Sequence, residues 1–122
     1  MIKLTFCLVR LPQLSRAQFQ DYWAGTHAPL VASVAETLRI RRYVQLHSLP
    51  AETHSAIRAS RQAPDEYDGV AELWFDSLQS ILENGQRPEA QAAGALLLED
   101  EKRFIDLPRS PLWWGEERVI VG

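Results

Sequence analysis

The sequence predicts an α+β fold with the element order β-α-β-β-α-β around one four-stranded antiparallel sheet. Three observations carry the prediction. Four short stretches, 2–9, 40–49, 69–75 and 117–121, have the alternation or the β-branched and aromatic content of strands. Helical signals with their own caps follow the first and third of these stretches, and only a polar connection separates the second from the third. The chain has 122 residues, 46% of them apolar, which suits one domain (residues 1–122) with a core of its own. That order is the split βαβ arrangement of ferredoxin-like domains.

In the first strand Ile2, Leu4, Phe6 and Leu8 alternate with Lys3, Thr5, Cys7 and Val9. Leu11-Pro12-Gln13-Leu14 turns the chain, and Ser15 with Gln18 has the form of a capping box that opens the first helix. Phe19, Trp23, His27 and Leu30 would share one face of it. Pro29 brings no N–H and crowds the carbonyl four residues back, so the helix is expected to bend through Thr26–Pro29, with Ala28 pushed out of the helical region. It resumes to about Leu38. In the second strand Tyr43, Gln45 and His47 share one face, Val44 and Leu46 the other.

Residues 50–68 form a long polar connection with room for a turn or two of helix within 52–62. Its length suggests a lid or a decorated loop. After the third strand, Asp76 and Gln79 suggest a second capping box, and Asn84-Gly85 a terminator. A further helix runs from Pro88 towards Phe104, with a possible break near Gly94. Leu107–Pro111 is a rigid turn before the final strand, placed at Glu117–Val121.

A net charge of -3 argues against nucleic acid as the main partner, since no basic surplus exists to neutralise phosphates. One cysteine, Cys7, allows no internal disulfide and fits a reducing compartment. No leader pattern and no membrane-length apolar run is present, so the expectation is a cytoplasmic protein. If Ile2, Leu4, Phe6, Val44, Leu46, Ala71, Leu73 and Phe75 lie under the helices, the other sheet face carries Thr5, Cys7, Val9, Tyr43, Gln45, His47, Val70, Glu72 and Trp74. That face is too apolar to leave open to water. The same face of a second copy would cover it, giving a twofold homodimer around a cavity.

Phe19, Tyr22-Trp23 and His27-Ala28-Pro29-Leu30 together resemble the signature of the EthD-domain family. Tyr43-Val44-Gln45, Asp68–Phe75, Asp100-Glu101 and Phe104-Ile105-Asp106 are similar to that family's pattern and fall in its order. The resemblance implies a dimeric α+β barrel. It also implies relatives that include cofactor-free dehydratases, decarboxylases and cyclases of aromatic polyketides. The same barrel serves lactone isomerases and small monooxygenases, so fold alone narrows the chemistry little.

His27 is the first candidate for chemistry, because an imidazole exchanges a proton near neutral pH. The competing role is a bracket that ties the helix bend to a carbonyl. His47 and Glu72 are assigned to the cavity face as second acid or base, against a strand-end histidine and a buried ion-pair partner. Trp23, Tyr43, Gln45 and Trp74 would line a site for a flat ligand, against ordinary core packing. Arg39, Arg41 and Arg42 have the look of a phosphate or carboxylate clamp but read better as a solvated strand entrance. Of Trp113 and Trp114, one should seal an edge or a subunit contact. Cys7 should stay protonated and inert. His27, His47 and His54 lack metal-ligand spacing, and no phosphate loop or dinucleotide fingerprint occurs, so neither a metal nor a cofactor is expected. The functional expectation is a cofactor-free enzyme acting on a small hydrophobic, aromatic or lactone-like metabolite by dehydration, cyclisation, isomerisation or decarboxylation. The alternatives are a non-catalytic accessory protein that binds such a metabolite, or a cofactor-independent monooxygenase of the same fold.

Overall fold

The computed structural model describes residues 1–122. Strands β1 (Ile2–Leu8), β2 (Arg42–His47), β3 (Gly69–Phe75) and β4 (Leu112–Gly115) form one sheet in the order β2-β3-β1-β4. Every neighbouring pair is antiparallel. Helices α1 (Arg16–Tyr22), α2 (Ala28–Val34), α3 (Ser55–Arg61), α4 (Leu78–Asn84) and α5 (Pro88–Glu101) complete an α+β, ferredoxin-like architecture. The core lies between the sheet and the α1, α2 and α5 segments, around Phe6, Leu8, Phe19, Trp23 and Phe104.

Ser15 caps α1 as a full capping box: its side chain accepts from the Gln18 N–H, and the Gln18 side chain accepts from the Ser15 N–H. The expected bend at Pro29 takes a different form. Residues Trp23–His27 make one wide π-type turn, in which the Ala28 N–H reaches back five residues to the Trp23 carbonyl. Ala28 stays helical at φ -58°, ψ -45°, and Pro29 sits in the first turn of α2, where its missing N–H costs nothing. The widening makes room for the proline ring, so the chain need not kink. Val31, not Leu30, is the next buried residue on that face. The end of the segment is closed by Arg39 in the left-handed region (φ 59°) and by the Ile40 N–H donating to the Ala35 carbonyl.

Sheet register corrects one face assignment. Leu4, Leu73 and Tyr43 are cross-strand neighbours, as are Thr5, Glu72 and Val44. Tyr43, Gln45 and His47 therefore point towards the helices, and Val44 and Leu46 share the open face with Glu72 and Trp74. The more polar set can lie inside because each member has a partner. Gln45 Nε2 donates to the Trp23 carbonyl at 3.0 Å and to the Tyr43 hydroxyl at 2.8 Å, while Gln45 Oε1 meets His47 Nε2 at 2.8 Å.

The last strand also differs from expectation. Ser110 Oγ accepts from the Val9 N–H and donates to the Asp106 carbonyl, and the Cys7 N–H donates to the Pro111 carbonyl. The chain is thus pinned beside β1 at once, and pairing begins at Leu112. Trp114 packs edge-on against Phe75 on the helix side, and Trp113 lies opposite, next to Thr5. Residues 117–121 carry no strand, though Glu117 accepts from Trp74 Nε1. Ser77, rather than Asp76, caps α4, by accepting from the Ser80 N–H; Asp76 pairs with Arg41. Helix α5 runs through Gly94 without a break.

The 50–68 connection holds a 3₁₀ turn (Ala51–His54) and α3. Its far end is tied down by Asp68, a buried carboxylate. Asp68 accepts from the Arg10 N–H at 2.8 Å, from Arg10 Nη1 at 2.7 Å and from Arg16 Nε at 3.0 Å. Gly69 follows because Trp23 lies against it. A Cβ there would stand 2.4 Å from the indole and 2.8 Å from the Leu46 carbonyl oxygen.

Candidate functional site

A cavity of 340 Å³ lies between the sheet and the helices. That is near the lower end of the roughly 300–1,000 Å³ range of small-molecule sites. Leu4, Phe6, Leu73 and Phe75 supply its floor, and α5 lines it with Ala90, Gly94, Leu97 and Glu101. Trp23, His27 and Tyr43 close one end. The space thus lies within one chain, on the helix side, rather than on the open sheet face that a second copy was expected to cover. No residue of the 50–68 connection lines it, so that segment is not its lid.

His27 reaches the cavity from the wide turn. Its ring is buried and packs on Phe104 at 4.9 Å, and its Nδ1 lies 2.7 Å from Asp100 Oδ2. Tyr22 donates its hydroxyl proton to Asp100 Oδ1 at 2.6 Å. Burial pushes the Asp100 carboxyl up, but the hydrogen bonds from Tyr22 and His27 outweigh it and hold the group below its ordinary value. Burial lowers the His27 pKa, and Asp100 opposes that only in part. At neutral pH the pair is therefore an ionised aspartate and a neutral imidazole, with the Nδ1 proton donated to the carboxylate.

The other nitrogen, Nε2, has no hydrogen-bond partner within the chain. Every fully buried side-chain nitrogen or oxygen does have one, so Nε2 touches open space, and the open space His27 borders is the cavity. It presents a lone pair there. Glu101, one residue beyond Asp100, also faces the cavity. Burial, with a smaller contribution from the Asp100 charge, raises its carboxyl from the ordinary 4.5 to about 7. A base and a carboxyl that keeps a proton on about half of the molecules at neutral pH border the same apolar space.

The sequence candidates separate in the structure. His27, Trp23 and Tyr43 line the cavity. Gln45 lies behind them, holding Tyr43 and the Trp23 carbonyl. His47 is away from the cavity, stacked on Trp23 at 4.5 Å. Glu72 and Trp74 are on the opposite face of the sheet. Glu72 is half-buried beside Lys3 at 3.7 Å, and Trp74 lies between Lys3 and Arg42. They lie apart from His27 because the cavity is on the helix side of the sheet and not on its open face. Cys7 is buried, with its thiol pKa raised by desolvation. Arg41 pairs with Asp76, and no group of three metal-ligating side chains forms anywhere in the chain. Asp100 and Glu101, which belong to the segments resembling the family pattern, carry no role in the chemistry read from the sequence. A signal existed: Leu97, Asp100 and Phe104 recur at helical spacing on a core face, and a carboxylate there needs a partner.

The model of the EthD domain matches residues 11–108. The chain belongs to the EthD domain family. Among curated proteins, this EthD chain is 26% identical over 115 residues to a conidial pigment biosynthesis dehydratase EthD of Metarhizium robertsii. The match covers 92% of this chain and 79% of that protein. An EthD-like protein from Ralstonia eutropha superposes with a TM-score of 0.64 at 16% identity, covering 98% of this chain and 94% of that one. A dimeric protein of unknown function and ferredoxin-like fold from Bacteroides fragilis gives 0.59 at 10% identity, with 95% of each chain covered. At these identities the two structures speak for the fold alone.

Proposed function

We propose that this EthD-family protein is an enzyme that removes water from a small hydrophobic, aromatic metabolite by proton transfer, without a cofactor. The observation that carries the reading is the neutral His27 whose Nε2 is free towards an apolar cavity while Asp100 holds its Nδ1 proton. In the proposed step Nε2 takes a proton from the substrate carbon beside a carbonyl. The electron pair forms the new double bond, the carbon–oxygen bond breaks, and Glu101 gives its proton to the departing hydroxyl to make water. Solvent then returns the proton from His27 to Glu101. Burial of the ring and carboxyl strengthens both transfers, because little water competes for the charges that develop. Tyr43 and Trp23 serve as walls. The acid role falls to Glu101 rather than to His47 or Glu72.

The relative named as a pigment biosynthesis dehydratase supports this choice among the eliminations and isomerisations such a pair can perform. We also propose a cytoplasmic homodimer. The dimeric description of the Bacteroides fragilis neighbour supports the assembly, as do the exposed Leu46 and Trp113 on the open sheet face. Buried, unpaired Cys7 suits a reducing compartment. No helix is long and apolar enough to cross a membrane.

The test uses β-hydroxy carbonyl compounds carrying an aromatic ring, incubated with protein in heavy water and followed by mass spectrometry. His27→Ala should lose both deuterium uptake at the carbon and loss of water. Glu101→Gln should keep the uptake and slow elimination by about 10²-fold or more. Unchanged turnover in folded His27→Ala overturns the proposal.

A further inference from the structure

The hydrogen bonds around Gln45 decide where the proton of a neighbouring hydroxyl goes. The Trp23 carbonyl can only accept, so the Gln45 atom 3.0 Å from it is the amide nitrogen. That nitrogen also lies 2.8 Å from the Tyr43 oxygen. It has two hydrogens and accepts nothing, so one hydrogen serves each neighbour. The other side of the amide is fixed as well. Gln45 Oε1 carries no hydrogen, so His47 Nε2, 2.8 Å away, is the donor there. With all three contacts made, the amide cannot turn over.

The Tyr43 oxygen therefore accepts a hydrogen bond, and its own O–H donates to no group of the chain. Its ring borders the cavity at the end that also holds Trp23 and His27. Burial raises the Tyr43 pKa, the Gln45 N–H offsets part of the rise, and the charge of Glu101 adds to it. The hydroxyl thus stays protonated at neutral pH. It can give a hydrogen bond there but holds on to its proton.

We infer that the Tyr43 hydroxyl donates a hydrogen bond to the carbonyl oxygen of the ligand, its proton freed for this by the Gln45 amide. The inference rests on the cavity being the ligand site, as proposed above. Taking a proton from the carbon beside a carbonyl moves an electron pair onto that oxygen, and the pair returns as the hydroxyl departs. The mostly apolar lining offers such a charge little else, and a donor already aimed at it costs no reorganisation. Tyr43 keeps its own proton throughout. The site accordingly prefers a carbonyl compound over a hydrocarbon of similar shape.

The experiment uses benzylideneacetone, an aromatic enone, and phenylbutene, which has a similar shape without the carbonyl. Ligand-observed NMR titrations measure the affinity of each for wild type and for Tyr43→Phe, whose folding is checked by thermal unfolding. Isotope-edited infrared spectra of carbonyl-labelled benzylideneacetone report the hydrogen bond on its oxygen. Bound to wild type, the carbonyl stretch is expected below its frequency in cyclohexane. Tyr43→Phe should raise it again, weaken the enone by about fivefold to tenfold and leave phenylbutene within about twofold. A stretch on wild type equal to that in cyclohexane overturns the inference without recourse to a variant, and leaves the proton-transfer proposal standing. A lowered stretch that Tyr43→Phe does not change overturns it too, as does an equal loss of both ligands. Failure of wild type to bind either ligand overturns the cavity as ligand site, and this inference with it. Loss of the His27 requirement for turnover, with the Tyr43-dependent shift intact, overturns only the chemistry.

Discussion

Replacing Glu101 by glutamine should make the protein more stable, by a margin that grows as the pH rises above about 4.5 and levels off above about 7. The carboxyl faces an apolar cavity, and no partner offsets its charge; the adjacent Asp100 carboxylate adds to the cost. Its pKa is raised from 4.5 in an ordinary setting to about 7 in the folded protein. A shift of that size corresponds to a destabilisation of up to about 3 kcal/mol once the group is ionised in both states. The direction follows from proton counting. Below about pH 4.5 both folded and unfolded chains hold the proton, and the glutamate costs nothing. Between 4.5 and about 7 the folded chain binds more protons than the unfolded one, so the glutamate's contribution to stability falls as pH rises. Above about 7 the full cost is present. Glutamine never ionises, so Glu101→Gln should match wild type near pH 4 and exceed it by up to about 3 kcal/mol at pH 8. Urea unfolding of the two proteins from pH 4 to 9, read by tryptophan fluorescence, measures that difference directly. All other titrating groups are common to both proteins and largely cancel. A difference that stays constant with pH would refute the argument, since it would mean that the Glu101 carboxyl titrates alike in the folded and unfolded chains.

Three further outcomes follow from the same geometry. Nitrogen NMR of the His27 ring at pH 7 should show Nδ1 protonated and Nε2 bare; Asp100→Asn should disturb that tautomer, and a protonated Nε2 in the wild-type neutral ring would contradict the orientation given to it. Gly69→Ala drives a Cβ into the indole of Trp23 and a backbone oxygen, and should cost about 1–3 kcal/mol in urea unfolding. Asp68→Ala removes the acceptor of three hydrogen bonds from Arg10 and Arg16. It should cost about 2–3 kcal/mol and speed hydrogen exchange in residues 50–68, while a change confined to α4 would contradict its anchoring role.

Much of this architecture could be read from residue order, because period and capping are local. The alternation in Ile2–Leu8 and the Ser15–Gln18 box need no tertiary partner to be legible. The face of β2 was not legible in that way. Val44 and Leu46 are more apolar than Gln45 and His47, and only the hydrogen bonds to Trp23 and Tyr43 make the polar side fit to be buried. Val119 to Val121 has stronger strand chemistry than Leu112 to Gly115, yet Ser110 beside Val9 decides where pairing starts. His27 stood out because a histidine beside a helix-breaking proline is rare in a core-facing stripe. Asp100 acquires meaning only when its helix is brought across to that stripe, a relation spanning 73 positions of chain.

The wide turn at Trp23–His27 also acts as a correction of phase. Phe19, Trp23, His27 and Val31 are all buried, each four residues after the last. On a regular helix such a row would swing by roughly 40° at each step, and by roughly a third of a turn over its length. The turn that winds more slowly brings the row back into line, so Trp23 and His27 face the same way on one continuous helical segment. A single-residue deletion in Ala24–Thr26 would therefore leave the row on one face, at spacings of four, three and four, and would instead remove the slack that the Pro29 ring occupies.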